Sequence, residues 1–430
     1  MKKNISHLFF KQQQQLQIFI YVLVGVLLVY RGVYTAPDSG AFLRMEFNRS
    51  PLYCSFLKLF TFTFGEFYQY PLLITQYLLL VFSSKFLLNT LNKEMRFNKS
   101  TILLTQIFIL IPCLYLHHTS RAVLSESIAY PFLLIIISFS LKAFYYINLR
   151  PLFYAVPFLS LLLLTRGQFL ILLPLFFFLT VYISFKNKKI KKGLGLLGIL
   201  ILIPVFNGII EKSYNKLAHG RYINNAMSYV HLITASFYVS EDSDVVFFKD
   251  NDEIAYFNII SNSLIKNNLT YLKAIENGID PSEHYKHNFS KICNARIHEL
   301  GLAYFANKGL SYFDQNIALN KLCKKMVFPL LKNNFKRWCL LSLKNFKNTF
   351  GVSKLLLLNL LLFSIAFIQF LKKENAFNKF VVLSMLFMFA NNLFISLTVH
   401  HEKRYLFYYD WLILTIIVLL LFKKTFKKEI

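Results

Sequence analysis

Asp38 sits just past the first apolar segment, in the stretch YTAPDSGAFLRMEFNRSPLY (Tyr34–Tyr53). A carboxylate held where a membrane helix meets water ionises at little cost and still reaches a lipid-borne substrate, so acids at such boundaries call for a functional hypothesis. Within hydrogen-bond reach of a hydroxyl or amine, it can take the proton released as that group attacks an activated carbon. An Asp-Ser before an apolar run is also an ordinary helix N-cap, and spacing alone does not choose between cap and base. Glu126, in RAVLSESIAY, is a second carboxylate ahead of an apolar helix. It can orient an acceptor, hold a divalent cation together with Asp38, or simply pair with Arg121.

Two cationic features complete the set. Arg166 interrupts LSLLLLTRGQFLILLP, where a tight Thr-Arg-Gly turn between two short helices would aim it into the mouth of a bundle as an anion-binding group. Snorkelling to headgroups is the simpler alternative. The first five residues of HHEKRYLFYYDW (His400–Trp411) gather two histidines, among them His401, with Lys403 and Arg404 around a single acid, Glu402, a composition suited to neutralising a departing phosphate. The alternative is an aromatic and charged interfacial belt. The pairs His117/His118 and His400/His401 fit no HExxH spacing, and neighbouring histidines on a helix point about 100° apart, so neither reads as a metal site. Asp410, about a turn inside the last helix, is expected to face protein.

The elements that must position these groups are helices in a membrane. The chain has 430 residues, 56% of them hydrophobic and 47 of them Phe, too apolar for a soluble protein of this length. Its apolar runs predict an all-α polytopic protein of about ten spans, near 16–33, 70–89, 101–117, 127–146, 151–165, 167–185, 194–210, 354–371, 379–399 and 405–422. The first run lacks a small-residue cleavage site and reads as a retained helix.

Charge gives an orientation. With a cytoplasmic N-terminus, the connections on that side carry about 21 Lys and Arg against Glu94, Glu374 and Glu429. The opposite connections carry about eight basic residues and five acids. Both termini are therefore expected in the cytoplasm, with Asp38, Glu126, Arg166 and the His400–Arg404 segment sharing the outer face. The middles of the helices hold almost no ionisable groups, which argues against a charge-coupled transporter.

Three regions follow: a membrane module over 1–210 with the first external loop at 33–70, an external insert over 211–352, and a last module of three helices over 353–430. In the loop, GAFLRMEF and PLYCSFLKLF read as two short interfacial helices broken at Ser50-Pro51. The insert reads as mostly helical, with amphipathic segments at Asp252–Leu272 and His298–Phe305. Its end, residues 321–350, carries Lys321, Lys324, Lys325, Lys332, Lys336, Arg337, Lys344 and Lys347 and no acid. That suits a helix broken at Pro329 and lying on anionic headgroups, with direct lipid-phosphate binding as the sharper alternative. No nucleic-acid motif accompanies the charge. Five scattered cysteines have no metal spacing, and the three in the insert allow one disulfide at most.

The chain resembles the polytopic membrane glycosyltransferases of the GT-C type, especially bacterial relatives of protein O-mannosyltransferases and of the lipid A aminoarabinose transferase. The resemblance rests on PDSGAF and RSPLY in the first external loop, LSES before the fourth helix, the TRGQ turn, and EKRYLFYYD at the last helix. It implies a GT-C-like bundle in the cytoplasmic membrane of a bacterium, with Asp38 as the acidic side chain that serves as catalytic base. The implied donor is a polyprenyl-phosphate sugar, transferred with inversion to a glycan, lipid or protein. It also implies that Arg166 and Arg404 address the donor phosphate. The chain departs from the family's pattern at Ser39, Phe42 and Cys54, which bears on the donor type and on any need for a metal. An O-antigen or capsule polymerase or ligase is the alternative within the class, and a lipid-linked-saccharide flippase the alternative outside it.

Overall fold

The structure is a computed structural model that describes residues 2–115, 119–225 and 227–421, with side chains from residue 12 onward. It is helical throughout, and among the described residues the only β-pairing is an isolated parallel bridge between Tyr34 and Ala122. Among the described residues, eight helices are long and apolar enough to cross a membrane. Two further apolar helices, Lys99–Leu114 and Arg150–Thr165, have 16 residues each. Helices thus lie at all ten predicted places, two of them short. The His117/His118 pair lies outside the described residues.

The chain divides into two compact units. The first comprises Met1–Tyr222, Asn359–Asn391 and Leu406–Ile430. It opens with α1 (Lys2–Arg31), followed by the short α2 (Ser39–Leu43), then α3 (Pro51–Phe64) and α4 (Gln69–Met95). Next come α5 (Lys99–Leu114), α6 (Glu126–Tyr146), α7 (Arg150–Thr165), α8 (Leu172–Lys186) and α9 (Ile190–His219). Helix α6 is the hub: 83% of its apolar window is buried, against 17% for α1.

Small polar groups join the helices where apolar surface alone gives little preference for one partner over lipid. Thr90 on α4 meets Ser138 on α6 at 2.7 Å, Tyr21 on α1 meets Ser84 at 2.8 Å, and Ser160 on α7 donates to Asn207 Oδ1 on α9 at 2.6 Å. The apolar run of α9 ends near Ile210, yet the helix continues through EKSYNKLAH, all tolerable helix formers. It stops only at Gly220, whose left-handed φ of 73° returns its N–H to the carbonyl of Lys216. The insert predicted from Glu211 therefore begins as an extension of this helix.

The second unit comprises Ile223–Leu358 and Asn392–Tyr405. Its helices are α10 (Ser228–Val239), α11 (Asn251–Lys266), α12 (Tyr271–Glu276), α13 (Pro281–Ile292), α14 (Glu299–Ala306), α15 (Tyr312–Asn333) and α16 (Phe335–Asn348). They close around Ile233, Phe237, Tyr256, Tyr285, Cys323 and Met326. All five cysteines are free thiols, so the insert is held by packing without a disulfide.

The expected break at Pro329 is absent, and α15 runs through the proline to Asn333. Pro329 costs one helical hydrogen bond, about 3 kcal/mol in an isolated helix. Tertiary contacts on both sides, through Met326 and Leu330 in the core, outweigh it. The chain breaks instead at Asn334, whose amide donates to Asp244 Oδ2 at 2.6 Å and to the Leu330 carbonyl at 3.2 Å.

The chain then continues as α17 (Ser353–Lys372), α18 (Ala376–Thr398), the single turn α19 (Lys403–Leu406) and α20 (Asp410–Leu421). Lys379 of α18 pairs with Glu374 at 2.8 Å and donates to the Phe144 carbonyl of α6 at 3.2 Å. Lys379 and Lys186 together hold the Glu374 carboxyl down at about 2.

A close helix contact yields a stability prediction. A Cβ at Gly193 on α9 would fall 2.0 Å from Ser184 Oγ and 2.7 Å from Ser184 Cβ on α8. Gly193→Ala is expected to lower stability by about 1–3 kcal/mol through overpacking. Adding Ser184→Gly should recover part of that loss, as read by thermal unfolding in detergent.

Candidate active site

Asp38 does not cap α2. Its backbone is already helical, at φ −76° and ψ −14°, and its side chain makes no capping bond. Ser39 does the local polar work: its hydroxyl accepts from the Ala36 N–H at 2.8 Å and donates to the Val123 carbonyl at 2.9 Å. The Asp38 carboxylate receives Arg49 Nη2 at 3.0 Å, with side chains 32% and 26% exposed respectively. Arg49 also lies over the Phe42 ring, 5.2 Å from its centroid. Its Nε, and the neighbouring Ser50 hydroxyl, are buried without a hydrogen-bond partner. The loop thus holds an ionic pair with unused polar atoms beside it.

Backbone pairing fixes this loop. Tyr34 N donates to the Arg121 carbonyl at 2.8 Å, and Val123 N donates to the Tyr34 carbonyl at 3.0 Å. Gln76 of α4 reaches the Ser120 and Ala122 carbonyls through its amide and accepts the Tyr53 hydroxyl at 3.0 Å. Three residues beyond Val123 the chain enters α6 at Glu126.

Glu126 is 1% exposed, and its carboxylate meets Arg166 Nη1 at 2.6 Å. Its expected alternative partner, Arg121, instead donates to the Arg31 and Gly32 carbonyls and lies over the Tyr34 ring. Arg166 occupies the extended residue between α7 and the 3-10 turn Gly167–Ile171, as the Thr-Arg-Gly turn implied. It does not snorkel: its side chain is 12% exposed. Arg166 Nε donates to Gln168 Oε1 at 3.1 Å, and the Gln168 amide reaches Asn391 Oδ1 of α18 at 3.4 Å. Ser125 Oγ donates to Glu126 Oε2 at 3.2 Å.

The two ionic pairs sit on joined segments, since Ser39 and Tyr34 both bond Val123, three residues before Glu126. Arg49 covers Phe42, Phe42 meets Tyr53 edge-on at 5.2 Å, and the Tyr53 hydroxyl donates to Gln76. Asp38 and Glu126 are thus each taken by an arginine, and among the described residues no three metal-ligating side chains gather.

The His400–Arg404 segment belongs to the second unit. His401 is buried, with Nε2 at 3.0 Å from Glu283 Oε1 and Nδ1 at 3.5 Å from Ser282 Oγ and 3.4 Å from Asn345 Oδ1. With both ring nitrogens engaged, His401 offers none to a phosphate. Lys403 is exposed, while Arg404 is half-buried. The aromatic half of the same motif goes to the first unit, where Phe407 and Tyr408 pack on Tyr130 of α6 and Tyr408 meets Phe169 edge-on at 5.1 Å.

Sequence reasoning missed Arg49, Gln168 and Asn391. Gln168 stood inside the TRGQ motif, and the amide pair Asn391-Asn392 inside an apolar helix was itself a signal of a buried polar contact. Comparison with protein-family models, with curated proteins and with solved structures finds no match to this chain.

Two predictions follow from these contacts. Removing one partner of a buried ion pair leaves an uncompensated charge, so Arg166→Met should cost about 3–5 kcal/mol. The double variant Glu126→Gln/Arg166→Met should regain most of it in thermal unfolding.

The second concerns acid. Burial, reinforced by His401, Lys286 and His231, drives the His400 pKa down to about 3, and burial also lowers His401. A group protonated more readily when unfolded favours unfolding as pH falls below the ordinary histidine value of about 6.5. The second unit should therefore weaken as pH drops from about 6.5 towards the carboxylate range. Because His400 stacks on Phe289 at 4.2 Å, His400→Phe should flatten that pH dependence of the melting temperature.

Proposed function

We propose that this chain is an inverting membrane glycosyltransferase that moves a sugar from a polyprenyl-phosphate donor to a glycan, lipid or protein acceptor. In this reading the reaction occurs at the outer face of a bacterial cytoplasmic membrane. The observation that carries the proposal is the Asp38–Arg49 pair on a loop anchored through Ser39 and Tyr34 to the segment that leads into the buried Glu126–Arg166 pair. Asp38 is a carboxylate on a loop fixed by backbone pairing, with unused polar atoms next to it. Arg166 is a cation held close to a bundle interior that otherwise offers little charge.

The chemistry asks for a base and for stabilisation of the leaving group. The acceptor oxygen attacks the anomeric carbon as the carbon–oxygen bond to the carrier phosphate breaks, and the phosphate leaves with the bonding electrons. Asp38 takes the acceptor's proton as the new bond forms. Arginine donors address the charge that develops on the phosphate. Glu126 holds and orients Arg166, a positioning role.

Purified protein or membranes would be supplied with radiolabelled polyprenyl-phosphate sugars, and sugar transfer would be scored with release of polyprenyl phosphate. Asp38→Asn is expected to lower transfer by roughly 10²–10⁴-fold at normal expression, the range for a lost general base. Full activity in that variant would overturn the assignment, and passage of labelled lipid-linked sugar across the bilayer without transfer would favour a flippase. Arg44, whose side chain is 70% exposed, is the position for a topology label: Arg44→Cys should react with an impermeant reagent from outside the cell.

A further inference from the structure

The basic segment 321–350 holds two populations of charge. Three of its cations are used inside the second unit: Lys325 reaches Asp250 at 3.5 Å, Lys344 reaches Asp280 at 2.8 Å, and Arg337 pairs with Glu241. Helix α16 is fastened by its other face, where Leu341 enters the core and Asn345 accepts the Ser282 hydroxyl at 2.6 Å. Opposite that face, Lys336, Leu340, Leu343 and Lys347 recur at helical spacing in one exposed stripe. Leu340 is 44% and Leu343 65% exposed, and Phe335 at the start of the helix is 59% exposed. Neither Lys336 nor Lys347 pairs with an acid among the described residues, and the segment itself contains none.

We infer that this stripe is a docking face for a lipid surface bearing anionic headgroups. A lysine at each end of two adjacent leucines is the pattern of a helix lying in the interface plane, its apolar centre in the acyl boundary and its cations at the headgroups. A purely polyanionic partner such as a nucleic acid would neutralise the lysines but leave Leu340 and Leu343 in water. Covalent continuity points the same way. Only residues 349–352 separate α16 from α17, a 20-residue apolar helix, so their facing ends lie no more than about 17 Å apart. The inference is independent of the proposed reaction.

The test uses the full chain in nanodiscs. Four of the native cysteines are buried and Cys339 is partly so; Cys339→Ser therefore gives the background for Leu343→Cys labelled with the polarity-sensitive dye NBD. In phosphatidylcholine discs containing phosphatidylglycerol, emission should shift to the blue and be quenched by brominated lipid, relative to phosphatidylcholine alone. High salt should weaken the shift, and Lys336→Glu with Lys347→Glu should abolish it. A label at Ile275→Cys, an exposed position on α12, should stay water-like throughout. Water-like emission at position 343 in both discs would overturn the proposal. So would a shift insensitive to anionic lipid, or one that depends on protein concentration in detergent and so reports a second copy of the chain. Should the charge-reversed variant fail to fold, the comparison of the two disc compositions decides alone.

Discussion

A carboxylate with 1% of its surface exposed must either find a cation or lose its charge, and Glu126 finds Arg166 at 2.6 Å. That constraint organises the upper part of the first unit. Arg166 can reach Glu126 only because the chain leaves the helix at Thr165, extends for one residue and resumes as a 3-10 turn. Once there, the guanidinium still has donors to satisfy, and Gln168 and Ser125 take them up. Gln168 in turn reaches Asn391 on α18, far away in sequence. One buried charge thereby ties α6, α7 and α18 together. The pair itself adds little net stability beyond what matched apolar groups would give, but its polar partners fit one arrangement of the helices and few others.

The Asp38–Arg49 pair obeys a different balance. About a third of the carboxylate is exposed, so solvent screens the attraction, which is worth on the order of 1 kcal/mol. A weak, wettable pair can open for another partner at small cost, whereas the Glu126–Arg166 pair cannot. Rigidity around Asp38 comes from the backbone: Tyr34 pairs with Arg121 and Val123, and Ser39 anchors to Val123. A yielding side chain on a fixed loop suits the role of proton acceptor proposed for Asp38, because such a group moves between its resting partner and a substrate while its Cα stays in place.

The second unit divides its charge by face. Its acids Asp250, Asp280 and Glu241 take up Lys325, Lys344 and Arg337, while the lysines of the α16 stripe pair with no acid among the described residues. His401 belongs to this internal economy, locked between Glu283, Ser282 and Asn345. A cluster that looks like a phosphate receptor when read along the chain therefore splits: one member is structural, its neighbours Lys403 and Arg404 are more accessible, and the aromatics that follow pack beside α6.

Composition and periodicity alone determined that the chain is helical and apolar enough for a membrane, and helices lie at the places they predicted, eight of the described ones long enough to span, because burying or embedding a long apolar run depends on neighbouring residues only. The turn at Arg166 was legible for the same local reason, as was the break before Pro51. Only the tertiary structure decided which charges meet. Asp38 could cap or pair, and Glu126 could meet Arg121 or Arg166; each choice depends on residues between 5 and 40 positions away, whose approach is set by helix packing. The same holds at Pro329, where local propensity predicts a break and core contacts through Met326 and Leu330 overrule it. Local sequence fixes where backbone hydrogen bonds can be satisfied, while the pairing of buried charge is a property of the assembled core.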